Sequence, residues 1–156
     1  MALEYMFKIA TEDDPKRLLD RMFDNVSVQA FVTSLDRPEV FYADCSSGFL
    51  AYSGKLGEEE RSFLEEELGI SPTNYILFRL NKFEDRELAK HLIIRATIAL
   101  LKITSNSDAI LLFNGEEILF LRSNGELFIN SLMDFWDSSY LDLVTLPYKM
   151  KEFPIL

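Results

Sequence analysis

The feature that constrains the fold most is a three-residue phrase, Asn-Gly-Glu, that occurs twice in close succession. It occupies residues 114–116 and again residues 124–126, on either side of the apolar segment EILFLRS. Asn-Gly is the strongest two-residue hairpin signal, because a type I′ turn requires positive φ at both central positions. The two turns therefore predict a three-strand antiparallel meander with strands at 108–113, 116–123 and 126–130.

Two-residue turns also predict which residues face each other across the meander. The register sets the pairs Phe113–Glu116 and Ser123–Glu126 and the cross-strand row Ala109–Phe120–Ile129. Leu119 and Leu121 then point to the opposite face, so both faces carry apolar surface. One face is expected to pack on a long helix, and the other to lie under the C-terminal segment or a second copy. A strand follows each Asn-Gly pair, whereas a phosphate-binding loop leads into a helix N-terminus. The two turns are therefore not expected to bind phosphate.

Periodicity and capping residues predict the remaining elements. Strands are predicted at 3–9, 26–34 and 74–82, and two short strands in EVFYADC and GFLAYSG. Helices are predicted from Asp14-Pro15, over the acidic run EEERSFLEEEL up to Gly69 and Pro72, and from Glu84 to Lys102 across the meander. The predicted fold is α+β: one domain, 1–156, whose antiparallel sheet of five to seven strands ends in the meander. Two to three helices pack mainly on one face.

The formal net charge of −10 restricts the partners of this chain. It disfavours nucleic acid and anionic membrane, and the sequence contains no cluster of Lys and Arg that would offset it. The same charge favours fast association with a basic protein. No apolar run approaches the ~18 residues of a spanning helix, and the N-terminus lacks the basic start of a signal peptide. We therefore expect a cytoplasmic protein.

The residues of this chain give little indication of a catalytic site. The chain has one cysteine, Cys45, and one histidine, His91, and it contains none of the common nucleophile, zinc or phosphate-binding motifs. We expect Cys45 to be a half-buried structural thiol and His91 to be solvated, in a charged helix row with Glu87 and Arg95. We therefore predict a protein without catalytic activity, metal or cofactor. An acid/base enzyme that uses a pair of buried carboxylates is a minor alternative.

Four segments together resemble a known family. They are ALEY at the start, LFRLNKFEDRE before the long helix, DAILLFNGEEILFLRSNGELFIN over the meander, and LPY followed by FPIL at the end. The combination resembles the immunity proteins of the Sit (swarming-inhibition) toxin systems of myxobacteria. The resemblance covers about residues 75–130 and the tail, while residues 25–70 give no correspondence. It implies a cytoplasmic, non-enzymatic antidote that binds one cognate toxin domain, which in such systems is often a basic nuclease.

Two groups of side chains are candidates for contact with that toxin. The first is the glutamate-rich helix, whose like charges repel each other at three- and four-residue spacing. The second is the tail, where aromatic residues alternate with acids, although a simple cap over the meander also explains it. The candidate residues are Glu58, Glu59, Glu65 and Glu66 in the helix and Asp134, Trp136, Asp137 and Tyr140 in the tail. The alternative function is a small regulatory or ligand-binding module that forms a homodimer through the meander, and a closed apolar pocket would favour it.

Overall fold

The computed structural model describes residues 3–26, 30–34, 40–45, 48–80, 86–104 and 106–156. The strands in these residues are β1 (Glu4–Ile9), β2 (Ala30–Ser34), β3 (Phe41–Cys45), β4 (Phe49–Lys55), β5 (Asn74–Leu80), β6 (Ala109–Phe113), β7 (Glu117–Ser123), β8 (Glu126–Asn130) and β9 (Lys149–Lys151). The helices are α1 (Pro15–Val26), α2 (Glu58–Leu68), α3 (Arg86–Ile103) and α4 (Ser138–Leu141). All the strands belong to one sheet in the order β2-β3-β4-β5-β1-β6-β7-β8-β9.

This architecture confirms the predicted α+β class. Every neighbouring pair of strands is antiparallel except β8 and β9, which run parallel. Among the described residues the sheet has nine strands rather than five to seven, and residues 149–151 extend the meander by one strand. Val26 ends α1 instead of opening a strand, and residues 27–29 of that predicted strand lie outside the described part. So do residues 81–82 of the predicted strand 74–82, residues 84–85 of the predicted long helix, and the side chain of Cys45.

The helix boundaries follow from local chemistry. The Asp14 carboxylate accepts a hydrogen bond from the Arg17 backbone N–H at 2.8 Å, which caps α1 before Pro15. Gly69 ends α2 with a left-handed φ of 66°, and its N–H donates to the Glu65 carbonyl. Both boundaries match the predicted ones.

The two Asn-Gly turns have the expected backbone but not the same register. The φ values are 49° and 81° at Asn114-Gly115 and 52° and 77° at Asn124-Gly125, as a type I′ turn requires. The pairs Ser123–Glu126 and Phe120–Ile129 are confirmed. The other predicted pairs are wrong, because Glu116 stays in the turn: Phe113 faces Glu117, and Ala109 faces Arg122.

A β-bulge causes the rest of the shift. The register slips between Leu111 and Leu112, so that β7 has one extra residue at Leu119. Leu119 therefore packs beside Phe120 in the same core cluster, against the prediction, while Leu121 lies on the opposite face as expected. Side chains satisfy the carbonyls next to the bulge: Asn130 Nδ2 donates to Ile118 at 2.7 Å, and Trp136 Nε1 donates to Leu119 at 3.0 Å.

The sheet has apolar residues on both faces, and different elements cover each face. The first face packs against α1, α3 and the segment 133–146, and its fully buried side chains include Phe7, Phe78 and Phe120. The second face packs against α2 and the C-terminal residues, through a smaller cluster of Leu56, Leu64, Ile70, Ile110, Leu112, Ile118, Leu121 and Phe153. Cover by the C-terminal segment was one of the two predicted options for this face, and α2 joins it there.

A buried arginine connects the long helix to the meander. Arg122 on β7 is 5 % exposed. Its guanidinium donates to three backbone carbonyls, one in the last turn of α3 and two in the residues that follow the helix. The distances are 2.7 Å to Leu101, 2.9 Å to Thr104 and 2.6 Å to Ser107. Burial lowers the pKa of Arg122, and nearby Asp108 partly offsets that shift. Because carbonyls at a helix C-terminus carry partial negative charge, the cation stabilises this end of α3.

Candidate partner-binding surfaces

The acidic helix α2 presents the first group of predicted residues to solvent. Its buried side is narrow, with Leu64 in the core and Leu68 half-buried against it. The candidate residues Glu58, Glu59, Glu65 and Glu66 are all exposed, as is Glu67. The helical repeat of 3.6 residues distributes these carboxylates over the outward side of one short helix. The structure therefore places all four predicted glutamates on one surface.

The charges of α2 do not all stabilise the helix. Glu58 and Glu59 lie in the first turn, where the positive end of the helix dipole favours acids. Glu65 and Glu66 lie near the last turn, which contains no basic residue, and there the dipole and the mutual repulsion both oppose them. Docking of a basic surface would relieve this repulsion.

One glutamate of α2 stabilises the fold through an ion pair. Glu60 forms a salt bridge with Lys8 of β1, whose side chain is only 8 % exposed. Lys8 lies on the second face of the sheet, so that the pair ties the helix to the strand beneath it. A buried ammonium loses its hydration and needs such a partner. Glu60 thus belongs to the fold, whereas its neighbours on the outward side are available for recognition.

Sequence reasoning missed an aromatic residue within this acidic surface. Phe63 on α2 is 46 % exposed, and helical spacing places it next to Glu59, Glu66 and Glu67. Exposed aromatics surrounded by polar groups are frequent centres of binding energy at protein interfaces. The signal was present in the sequence, because Leu64 and Leu68 define the core side of α2 at four-residue spacing and Phe63 lies outside that side, among the glutamates.

The tail group of candidates separates into exposed acids and buried aromatics. Asp134 and Asp137 are exposed, whereas Trp136 is 8 % and Tyr140 4 % exposed, within the first-face core. Asp137 caps α4, and its carboxylate accepts from the Ser139 hydroxyl at 2.6 Å and from the Tyr140 N–H at 3.2 Å. These hydrogen bonds lower the pKa of Asp137. Trp136 and Tyr140 hold this segment on the sheet, and only the two acids reach the surface.

Two side chains of the long helix α3 contact Tyr140. Its hydroxyl donates to the Glu87 carboxylate at 2.7 Å, and the His91 ring stacks on the Tyr140 ring with 4.3 Å between centroids. His91 is therefore packed against the tail rather than simply solvated in a charged row. Burial, followed by the bond to Glu87, raises the pKa of Tyr140 above its ordinary value. The same bond, followed by one from Lys90, lowers the pKa of Glu87.

The two predicted groups do not form one surface. The segment containing Asp134 and Asp137 packs on the first face of the sheet, and α2 packs on the second. The described residues contain no group of three or more His, Cys, Asp or Glu side chains placed to hold a metal ion. Within the same residues, no helix is long and apolar enough to cross a membrane. A cleft of about 410 Å³ lies beside α3 and is open to solvent, with Arg95 and Lys102 among its lining residues.

A comparison with protein families gives a match over residues 3–139 to the SitI3-like family model. The matched range spans most of the chain and includes both faces of the sheet, α2 and the start of α4. The chain belongs to the SitI3-like family. Comparisons with curated proteins and with solved structures found no match.

Membership of the SitI3-like family confirms the resemblance to the Sit immunity proteins. The match includes residues 25–70, for which the sequence motifs gave no correspondence, and it ends before the closing LPY and FPIL motifs. A SitI3-like chain is consistent with an immunity protein, and such a role is non-enzymatic. The α2 surface belongs to the part of the chain that the family model matches.

Proposed function

We propose that this protein is a cytoplasmic immunity protein that binds a cognate toxin domain and neutralises it without catalysis. The observation that carries the proposal is the match to the SitI3-like family over residues 3–139. The exposed carboxylates of α2 and the net charge of −10 favour a basic partner, because complementary charges accelerate encounter and disfavour wrong partners.

The contact surface in this proposal is α2. Glu58, Glu59, Glu65 and Glu66 supply the negative charge, and Phe63 supplies exposed apolar area among them. Charged groups at the rim of an interface mainly set the association rate, while a desolvated aromatic contributes to the lifetime of the complex. The toxin would then offer basic residues around an apolar recess.

The tail acids form the competing surface. Asp134 and Asp137 are exposed on the other side of the sheet, and Trp136 and Tyr140 would contribute by fixing the segment that carries them. Asp137→Asn retains a capping side chain for α4, since Asn is a good N-cap residue. The double variant Asp134→Lys, Asp137→Asn therefore tests this surface with the cap retained.

The experiment is co-expression with the product of the gene adjacent to the one that encodes this chain, tested as the toxin, followed by pull-down and measurement of binding kinetics. Wild-type protein is expected to rescue growth and to form a salt-sensitive complex. Absence of rescue and of a complex would refute the proposed function. A light-scattering mass of twice the chain in the absence of toxin would instead favour the homodimeric module.

A matched pair of charge reversals locates the surface. Glu59→Lys with Glu66→Lys alters α2, and Glu12→Lys with Asp24→Lys makes the same change of charge at exposed positions away from it. If α2 is the contact, the first pair lowers the association rate by about tenfold or more, whereas the second has a much smaller effect. Equal losses from both pairs would show that only the overall charge matters and that α2 is not the surface.

A further inference from the structure

The second face of the sheet is only partly covered within the described residues. Its core cluster lies where α2 and the C-terminal residues cross β1, β6 and β7. Leu50 and Tyr52 on β4 and Leu77 on β5 are half-buried, and they belong to neither core cluster. Adjacent strands in a sheet normally bury such residues under another element. Because these three side chains are half-buried, they leave part of their apolar surface accessible, and we name this part of the sheet the β4–β5 strip.

The register makes the strip continuous. Tyr52 faces Leu77, and Leu77 faces Met6 on the next strand, so that these side chains lie in one row across the sheet. Met6 packs against the core cluster under α2. The row thus extends from the covered part of the second face to the strip without a break.

The one cation at the strip, among the described residues, is already neutralised. Arg79 donates two hydrogen bonds to the Glu4 carboxylate, at 3.0 Å from Nε and 2.8 Å from a terminal nitrogen. Its guanidinium carbon also lies 5.8 Å from the centre of the Tyr52 ring. Among the described side chains, the strip consequently presents apolar and aromatic groups and one paired cation.

Gly54 and Tyr75 form the boundary between α2 and the strip. A Cβ placed on Gly54 would lie 2.6 Å from the Tyr75 hydroxyl oxygen, which means that the phenol end of the tyrosine occupies the space above this glycine. Tyr75 in turn packs against the cluster under α2.

We infer that the β4–β5 strip is the apolar floor on which the toxin domain docks, with α2 as its acidic rim. This inference rests on the proposed function and deepens it, since it specifies a two-part recognition surface. The occupant is a protein that inserts an apolar protrusion flanked by Lys or Arg residues. Charge complementarity selects this occupant, because α2 carries its exposed glutamates on the same face of the sheet as the strip, while the cation of Arg79 is paired.

The test uses the full chain and the adjacent-gene toxin. Leu50→Lys with Leu77→Lys places two charges on the strip, and the long lysine stems reach water from half-buried positions. Leu132→Lys with Met150→Lys is the control, since both residues are exposed and lie outside the strip, and the change of charge is identical. The strip variant is expected to lose affinity by about tenfold or more, and the control by no more than about twofold.

The outcomes separate the two proposals. Failure of wild-type protein to bind the toxin refutes the proposed function. Wild-type binding combined with an unchanged affinity of the strip variant overturns the docking inference alone.

Footprinting of the wild type tests the strip even when the lysine variant does not fold. Hydroxyl-radical oxidation of Leu50, Tyr52, Leu77 and Met6 is expected to decrease when toxin is added. Unchanged oxidation in the complex overturns the inference. Protection of the same residues in the absence of toxin, together with a dimeric mass, overturns it in favour of a second copy.

Discussion

The two faces of the sheet differ in how completely they are covered. The first face lies under α1, α3 and the tail segment, and its core contains fully buried aromatics such as Phe7 and Phe120. The second face has one helix of eleven residues and the C-terminal residues over it, and α2 depends on the partly exposed bridge between Lys8 and Glu60. Stability arises mostly from buried apolar area, so the first face should determine the stability of the fold. In the proposed function, the second face retains the surface that the partner contacts.

This difference also separates two roles for polar residues. On the first face, Arg122 and Trp136 donate to buried backbone carbonyls, and their removal takes those donors away, while Tyr140 ties the tail to Glu87. On the second face, the outward glutamates of α2 contribute little to the fold, and the last-turn acids even oppose the helix dipole. Substitutions should therefore change stability on one face and binding on the other.

The largest expected effect is the loss of the buried arginine. Arg122→Leu removes the donors to the carbonyls of Leu101, Thr104 and Ser107, and should lower the free energy of unfolding by about 3 kcal/mol. Urea denaturation measures it, with Arg95→Leu on the exposed side of α3 as the control, expected to change stability by less than about 0.5 kcal/mol. Equal effects of the two substitutions would contradict the assigned role of Arg122.

The second prediction concerns the bridge under α2. Glu60→Gln leaves the Lys8 ammonium without its charged partner, and should cost about 1.5 kcal/mol, because Glu60 is itself 45 % exposed. Lys8→Met should cost less, since an apolar side chain of similar length suits the buried site. Thermal unfolding compares both with Glu59→Gln, which should cost no more than about 0.5 kcal/mol, because it removes only a solvent-screened charge at the helix N-terminus. A loss at Glu59 as large as that at Glu60 would remove the distinction between fold and surface glutamates.

The third prediction isolates a contribution that belongs to neither face. Gly115 has a φ of 81° with open space around its Cα, so Gly115→Ala should cost roughly 1 kcal/mol through backbone strain alone. Gly57→Ala is the matched control, because Gly57 also has open space but a φ of −73°. There the poorer N-cap and the lower entropy of the unfolded chain roughly offset each other, so only a few tenths of a kcal/mol are expected. Similar costs at both positions would argue against the type I′ turn.

The smallest expected effect is a pH-dependent loosening of the tail on the first face. The folded pKa of Glu87 is lowered by its bond from Tyr140 and that of Asp137 by its cap bonds, so both carboxylates stabilise the docked tail when ionised. A depressed folded pKa contributes stability above the unfolded pKa and loses it as pH falls through the folded value, that is, below about pH 4. Trp136 fluorescence should report this loosening before global unfolding.

Tyr140→Phe provides the control for the pH effect. Loss of the hydroxyl donor should return the Glu87 pKa toward its ordinary value, which NMR titration of the side chain measures. An unchanged Glu87 titration in this variant would show that the bond has no part in holding the tail.

The sequence by itself determined the features that depend on nearby residues. Asp14-Pro15 and Gly69 specified the ends of helices, and the Asn-Gly pairs specified turns, because each acts through backbone φ or a capping bond a few residues away. The α+β class and the exposure of the α2 glutamates followed from periodicity for the same reason.

Only the tertiary structure decided the features that depend on distant partners. At the bulge, the carbonyls of Ile118 and Leu119 accept hydrogen bonds from the side chains of Asn130 and Trp136. Tyr140 is buried because Glu87 and His91 of α3 contact its hydroxyl and its ring. The aromatic spacing of the tail is the same for an exposed interface and a buried cap. Which of the two forms depends on whether residues far away in the sequence provide a cavity and a hydrogen-bond partner for each ring. The local sequence does not determine this.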